Sequence, residues 1–170
     1  EGKTQILVGT QMVAKGHDFP NVTFIGIVLA DLNLHFPDFR SGERTFQLLS
    51  QVAGRAGRLN KPGKVVLQTF LPEHPVIKTA AKQDYLAFYD FEINERDHFK
   101  YPPFSRLAQL EFRHFSENGA RDHAFETQKL LDQLKTQIEF FYLGPAAASI
   151  TKIANQYRWK ILLKAEKFSA

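Results

Sequence analysis

Short apolar runs alternate with longer amphipathic stretches along this chain. Gln5-Ile6-Leu7-Val8-Gly9-Thr10 and the run from Asn21 to Ala30 are nearly continuous and rich in Ile and Val. That pattern predicts strands covered on both faces in a parallel sheet. A polar, glycine-containing crossover ending in Asp18-Phe19-Pro20 separates them. Ligands of open α/β sheets gather at the carboxyl ends of strands, which is where Thr10 and Asp31 should fall. Leu59 to Lys64 reads as a turn, and Val65 to Phe70 as one more strand. Pro72 and Pro75 then punctuate the chain. Residues 76–99 are helical in pattern, with Ile77, Ala80, Ala81, Tyr85, Phe88 and Phe91 at the apolar positions. Tyr101-Pro102-Pro103-Phe104 ends this stretch, because a residue before proline is pushed out of the helical region.

From Ser105 a smaller unit begins. Leu107, Leu110, Phe112 and Phe115 mark a strand over residues 106–115. Residues 119–140 predict the clearest helix, with Ala124, Leu131, Leu134 and Ile138 on one stripe. Gly144-Pro145 breaks the chain, and Tyr157 to Lys164 reads as a further strand. The order strand, helix, strand predicts a small α+β domain.

Composition supports a packed fold with an anionic partner. The 170 residues are 44% hydrophobic and include 16 Phe, enough for one medium domain or two small ones. The net charge of +4 leans toward nucleic acid without requiring it. The absence of Cys excludes disulfides and thiolate metal sites within these residues and fits a reducing cytosol. The six His residues are scattered, and no pair has metal-ligand spacing. No apolar run of membrane-spanning length, signal-like N-terminus, internal repeat or low-complexity tract occurs.

The densest chemistry lies in Gln51-Val52-Ala53-Gly54-Arg55-Ala56-Gly57-Arg58. A helix or tight turn with this spacing aims both guanidiniums to one side. Two permanently charged planar forks match the charge that develops on a γ-phosphoryl group. Arginines flanked by glycines also suit the phosphates of nucleic acid. Other residues have two readings as well. Asp18 suits a turn cap, Thr10 an ordinary strand end and Lys15 a solvated surface. Phe36 and Phe39 suit stacking on unpaired bases or packing beneath their own loop.

The motifs together resemble a known family. Thr10 to Pro20 resembles motif V of superfamily-2 helicases, and Gln51 to Arg58 resembles motif VI, about 30 residues further on. Gly42 to Ser50 is similar to the segment before motif VI in helicases that process DNA forks. The long forms Gly-Thr-Gln-Met-x-Ala-Lys-Gly-His-Asp-Phe-Pro and Gln-Val-Ala-Gly-Arg-Ala-Gly-Arg resemble the PriA family of replication-restart helicases. A helix followed by a Pro-Pro-Phe step is also a feature of that family.

The resemblance implies a fold. Residues 1–74 would be the C-terminal part of a RecA-like second helicase lobe, a parallel sheet with flanking helices. Residues 75–103 would be a helical connector, and residues 104–170 a small, truncated α+β domain. It also implies roles. Arg55 and Arg58 would act as arginine fingers toward ATP, with Gln51 at the nucleotide or its water network. Gly16, Asp18 and Gly54 would couple the nucleotide to the DNA track, with Thr10 and Lys15 near DNA phosphates, where contacts position without reading sequence.

The small domain would bind forked DNA and single-stranded-DNA-binding protein. Its candidate surface is Lys152, Arg158, Trp159, Lys160 and Lys164, a basic strip with an embedded aromatic. The alternative places Trp159 in the core of a half-buried strand with the lysines in water. Ile153-Ala154-Asn155-Gln156 departs from the glycines and basic residues that often precede Tyr-Arg-Trp in the family. The resemblance further implies an ATP-driven 3′ to 5′ helicase of the bacterial cytoplasm that works with primosome proteins and no membrane.

The sequence contains no G-x-x-x-x-G-K-[ST] segment and no Asp-Glu motif after a suitable strand. ATP and Mg²⁺ would therefore be held mainly by a first lobe outside these residues, and the family's zinc by cysteines outside them. A chain opening on Glu1 rather than Met reads as a piece of a longer protein, expected to be silent as an ATPase by itself. Two other readings are a non-hydrolysing DNA-binding or scaffold module with a helicase-like lobe, and a fork enzyme of the RecG type. The Ala-Lys-Gly-His-Asp-Phe-Pro segment and the Pro-Pro-Phe step argue against the second.

Overall fold

The structure, a computed structural model, describes residues 5–10, 22–56 and 63–166. The chain divides into two units, residues 1–93 and 94–170. The crossover that carries Lys15, Gly16 and Asp18 lies outside the described residues, as does Arg58.

In the first unit β1 (Phe24–Ile27) and β2 (Lys64–Leu67) pair in parallel, Phe24 opposite Lys64 and Ile27 opposite Leu67. Helix α1 (Ser41–Ala53) lies between them in sequence, as a parallel connection requires. Pairing continues past the strand exits. Gln68 donates its N–H to Ile27 O at 2.8 Å, accepts from Ala30 N–H at 2.9 Å, and takes Leu29 N–H on its side-chain oxygen at 2.8 Å. Residues 5–10 form no strand, and Ile6, Leu7 and Val8 are exposed, contrary to the sequence expectation. No described strand lies beside them to complete a ladder, and an apolar run without a partner has no reason to hold the extended form. β1 and β2 likewise alternate exposed and half-buried positions rather than being covered on both faces.

The region 75–98 is two helices rather than one. α2 (Pro75–Lys82) opens with Pro at its first position and His74 Nδ1 accepting Val76 N–H at 3.2 Å. It ends where Gln83 turns left-handed, with Asp84 N–H returning to Thr79 O at 2.9 Å. Asp84 then caps α3 (Tyr85–His98) by accepting Ala87 N–H at 3.0 Å. The helical pattern hid this break because the apolar spacing carries across it. Val76, Ile77, Ala80 and Phe88 join Ala30, Phe46 and Leu49 in one core, with Phe91 packed on its margin. Residues read as a connector therefore also build the first unit. The division between the units falls within α3, after Ile93.

Among the described residues the second unit holds an antiparallel sheet of order β3-β5-β4 and, after the end of α3, one further helix. β3 (Arg106–His114) and β5 (Gln156–Ala165) pair along their length, Phe112 opposite Trp159 and Leu110 opposite Ile161. Helix α4 (Glu117–Leu134) begins at Ser116, whose Oγ accepts Gly119 N–H, and buries Ala120, Ala124 and Leu131. It stops earlier than its stripe predicts, leaving Leu134 and Ile138 exposed. The main difference is β4 (Phe141–Ile153), which runs through Gly144-Pro145 where the sequence predicts a break. Its pairing with β5 shifts between Leu143 and Ala146, so the two residues sit at a bulge on an edge strand, where proline costs no ladder bond. Gly144 has φ +100°, and a Cβ there would lie 2.8 Å from Lys160 O. The small α+β unit expected from the sequence is present, with one more strand than expected.

Candidate functional site

The described part of the arginine motif, Gln51 to Ala56, sits at the exit of α1. This helix forms because Phe46 and Leu49 repeat on one face and are buried against Val76, Ile77 and Phe88. Phe46 and Phe88 stack with centroids 4.2 Å apart. Gln51 is exposed on the last turn. Gly54 closes the helix by donating N–H to Ser50 O at 3.1 Å, and Arg55 N–H donates to Val52 O at 3.0 Å. Arg55 is half-buried just beyond the helix. The carbonyl end of a helix carries partial negative charge, so a guanidinium is favoured there.

The loop after β1 is fixed by its own polar groups. A 3-10 turn spans Leu32–His35, Ser41 Oγ donates to Phe36 O at 2.7 Å, and Asp38 pairs with Arg44 at 2.7 Å. Phe36 is 58% exposed rather than folded beneath the loop. Phe39 is half-buried with the Arg40 guanidinium 5.0 Å from its ring centre. Asp31 does stand past the end of β1, but only 2% exposed. Its Oδ2 accepts Phe70 N–H at 3.2 Å, tying the two strand exits together, and Oδ1 is buried without a hydrogen bond. Thr10 is exposed outside regular structure.

In the second unit the strand register separates the candidate residues. Side chains alternate along β5, so Trp159, Ile161, Leu163 and Ala165 share the face that α4 covers. Trp159 is half-buried, with its ring 5.9 Å from that of Phe125 on α4. Arg158, Lys160 and Lys164 occupy the opposite face. The expected strip of Arg158, Trp159 and Lys160 is thus not one surface, because adjacent strand residues point to opposite sides.

Arg158 is also matched within the fold. Its Nη2 donates to Glu111 Oε2 at 2.5 Å and Nη1 to Ile150 O at 3.4 Å, while Arg113 Nε donates to Glu111 Oε1 at 2.6 Å. The hydrogen bond from Arg158 holds the Glu111 carboxyl far below its ordinary range, at about 2, against an opposing effect of burial and with further help from Arg113. Glu111 was not singled out from the sequence. Glu111 lies between Gln109 and Arg113 on the polar side of an alternating strand, and only the register brings it to Arg158. Lys160 stands directly opposite Glu111 in the ladder. Lys152 lies over the Tyr157 ring at 4.7 Å, and Lys164 lies over Tyr101 at 3.5 Å while donating to Phe99 O at 3.0 Å.

Among the described residues no three His, Cys, Asp or Glu side chains converge as metal ligands. Among the described residues no helix is long and apolar enough to cross a membrane.

Residues 97–170 match the family model described as the primosomal protein N C-terminal domain, which takes in nearly all of the second unit. Fold and match together define the chain as part of a primosomal protein. Over 166 residues, 96% of the chain, it is 46% identical to the replication restart protein PriA of Bacillus subtilis, covering 20% of that relative. The corresponding proteins of Treponema pallidum and Haemophilus influenzae are 43% and 44% identical over 98% and 96% of the chain, which covers 25% and 22% of them. The chain belongs to the PriA family, and it spans about a fifth to a quarter of the length of these relatives.

Proposed function

We propose that this chain is the part of an ATP-dependent 3′ to 5′ DNA helicase that supplies the arginine side of the nucleotide site. The whole protein would recognise stalled or branched replication forks and restart replication through primosome assembly. The observation that carries the reading is the Gln51 to Arg58 motif, whose described residues, Gln51 to Ala56, close a helix that shares its core with a parallel strand pair, in a chain of the PriA family. The first unit is read as part of a RecA-like second lobe.

The residues fit one side of an ATP site only. Arg55 and Gln51 lie at one helix end, and an arginine presented there suits the charge that spreads over a transferring phosphoryl group. The sequence has no phosphate-cradling loop, so ATP and Mg²⁺ are assigned to residues outside it. Asp18 and Gly16 are assigned to coupling between nucleotide and DNA, together with Gly54, and Lys15 and Thr10 to the DNA phosphates. Phe36, exposed on a fixed loop, is assigned to stacking on single-stranded DNA. In the second unit the assignment moves to the open sheet face, where Lys160 and Lys164 accompany the Glu111-centred cations. Phosphates of forked DNA, or the acidic tail of single-stranded-DNA-binding protein, suit that face.

The test is DNA-stimulated ATP hydrolysis by the full-length protein and its Arg58→Ala variant, with this chain as a control. Loss of most turnover with DNA binding retained supports the reading. Unchanged turnover, or measurable hydrolysis by this chain alone, contradicts it.

A further inference from the structure

We propose that Glu92 is a positioning residue for the arginine motif, acting through the first turn of α1. The inference rests on the functional reading above and adds a residue that the motif does not contain. α1 has two ends. The far end presents Gln51 and leads into Arg55. The near end begins at Ser41 and Gly42, where the helix carries partial positive charge.

The near end faces α3. A Cβ on Gly42 would lie 2.8 Å from Glu92 Oε2 and 3.4 Å from Val76 Cγ2. The absence of a side chain at residue 42 is what lets the carboxylate approach the helix backbone so closely. A carboxylate is the favoured group at this end of a helix. The helix's own N-cap position, Arg40, makes no side-chain capping bond, and the Ser41 N–H is met by Asp38 O at 2.9 Å.

One turn before Glu92 on α3, Phe88 stacks on Phe46 of α1. Two contacts from one helix therefore fix α1, one polar at its start and one apolar at its middle. Fixing two points along a rigid helix fixes its axis, and with it the place where Arg55 emerges. Displacement of a catalytic group by about 1 Å costs up to roughly a hundredfold in rate, so a distant contact that sets a helix axis has leverage on turnover.

The experiment uses the full-length protein and the variants Glu92→Gln, Arg55→Ala and the double substitution. It reads kcat and KM for ATP with saturating forked DNA, DNA affinity, and the melting temperature. Glu92→Gln keeps the shape and removes the charge. The expected result is a fall in kcat of about tenfold, with KM and DNA affinity within about twofold. The double variant is expected to turn over no more slowly than Arg55→Ala alone, because a misplaced arginine and a missing one fail at the same step. Glu92→Asp, with the charge restored, is expected to recover part of the loss.

Three results would overturn the assignment. Wild-type kcat in Glu92→Gln is one. A loss that multiplies with that of Arg55→Ala is another, since it shows that Glu92 acts elsewhere. A loss that follows the melting temperature and is equal in kcat and DNA affinity shows a purely structural residue. Wild-type turnover in Arg55→Ala is a different outcome, and it overturns the functional reading along with this one.

Discussion

Glu111→Gln should destabilise the second unit and remove part of its acid sensitivity. In the fold the Glu111 and Arg158 side chains are 17% and 18% exposed and meet at 2.5 Å, with Arg113 on the other carboxylate oxygen. The Glu111 carboxyl is lowered from 4.5 to about 2, chiefly by the bond from Arg158. A shift of that size corresponds to at most about 3 kcal/mol. One side of the pair meets water, which screens the interaction, so a working figure is about 1–2 kcal/mol. The sign follows from the direction. A carboxyl with a depressed folded value stabilises the fold fully above its unfolded value near 4.5, and that stability is lost as pH falls toward about 2. Urea unfolding of the 170-residue chain and its Glu111→Gln variant, at pH 7 and at pH 3, measures both effects. Wild type should exceed the variant by about 1–2 kcal/mol at pH 7, and by less than half of that at pH 3. Equal stability at pH 7, or a difference that grows on acidification, would refute the reasoning.

Three other outcomes follow from the packing. Phe88→Ala, which empties a fully packed stack on Phe46, should cost the first unit about 3–4 kcal/mol in denaturant unfolding. Gly144→Ala places a Cβ against Lys160 O at a positive φ, so the melting temperature should fall by an amount equivalent to about 1–3 kcal/mol. Trp159→Phe should leave single-stranded DNA affinity of the chain within about twofold, whereas Lys160→Ala should weaken it and reduce its salt dependence by about one ion. A larger loss from Trp159→Phe than from Lys160→Ala would return the indole to the binding surface.

What the sequence revealed depended on whether the signal was local. α4, β3 and β5 follow from periodicity within one segment, and their apolar positions decide which face is buried. The break at Gln83-Asp84 was hidden because the apolar spacing of the two helices runs across it without a proline or glycine. β4 was hidden for the opposite reason. Gly144-Pro145 is a strong local breaker, yet on an edge strand the bulge absorbs both residues while the ladder resumes beyond them. The candidate site divides along the same line. The Gln51 to Arg58 motif was legible because its chemistry is contiguous. Glu111 with Arg158, and Glu92 with Gly42, were not, since each pair is joined only by tertiary register. For Arg158, Trp159 and Lys160 the sequence allowed one basic surface or a half-buried strand with Trp159 turned inward, and the period of two in a strand favours the second.

The account's central claim is that Arg55, at the exit of α1, and Arg58 of the same motif complete an ATP site in the whole protein. The most direct test compares single-turnover ATP hydrolysis by the full-length protein with that of Arg55→Ala and Arg58→Ala on forked DNA. The account predicts that both variants bind ATP and DNA close to wild type and hydrolyse at least about a hundredfold more slowly. Hydrolysis at the wild-type rate in both would contradict it and favour a non-hydrolysing, DNA-binding role for this lobe.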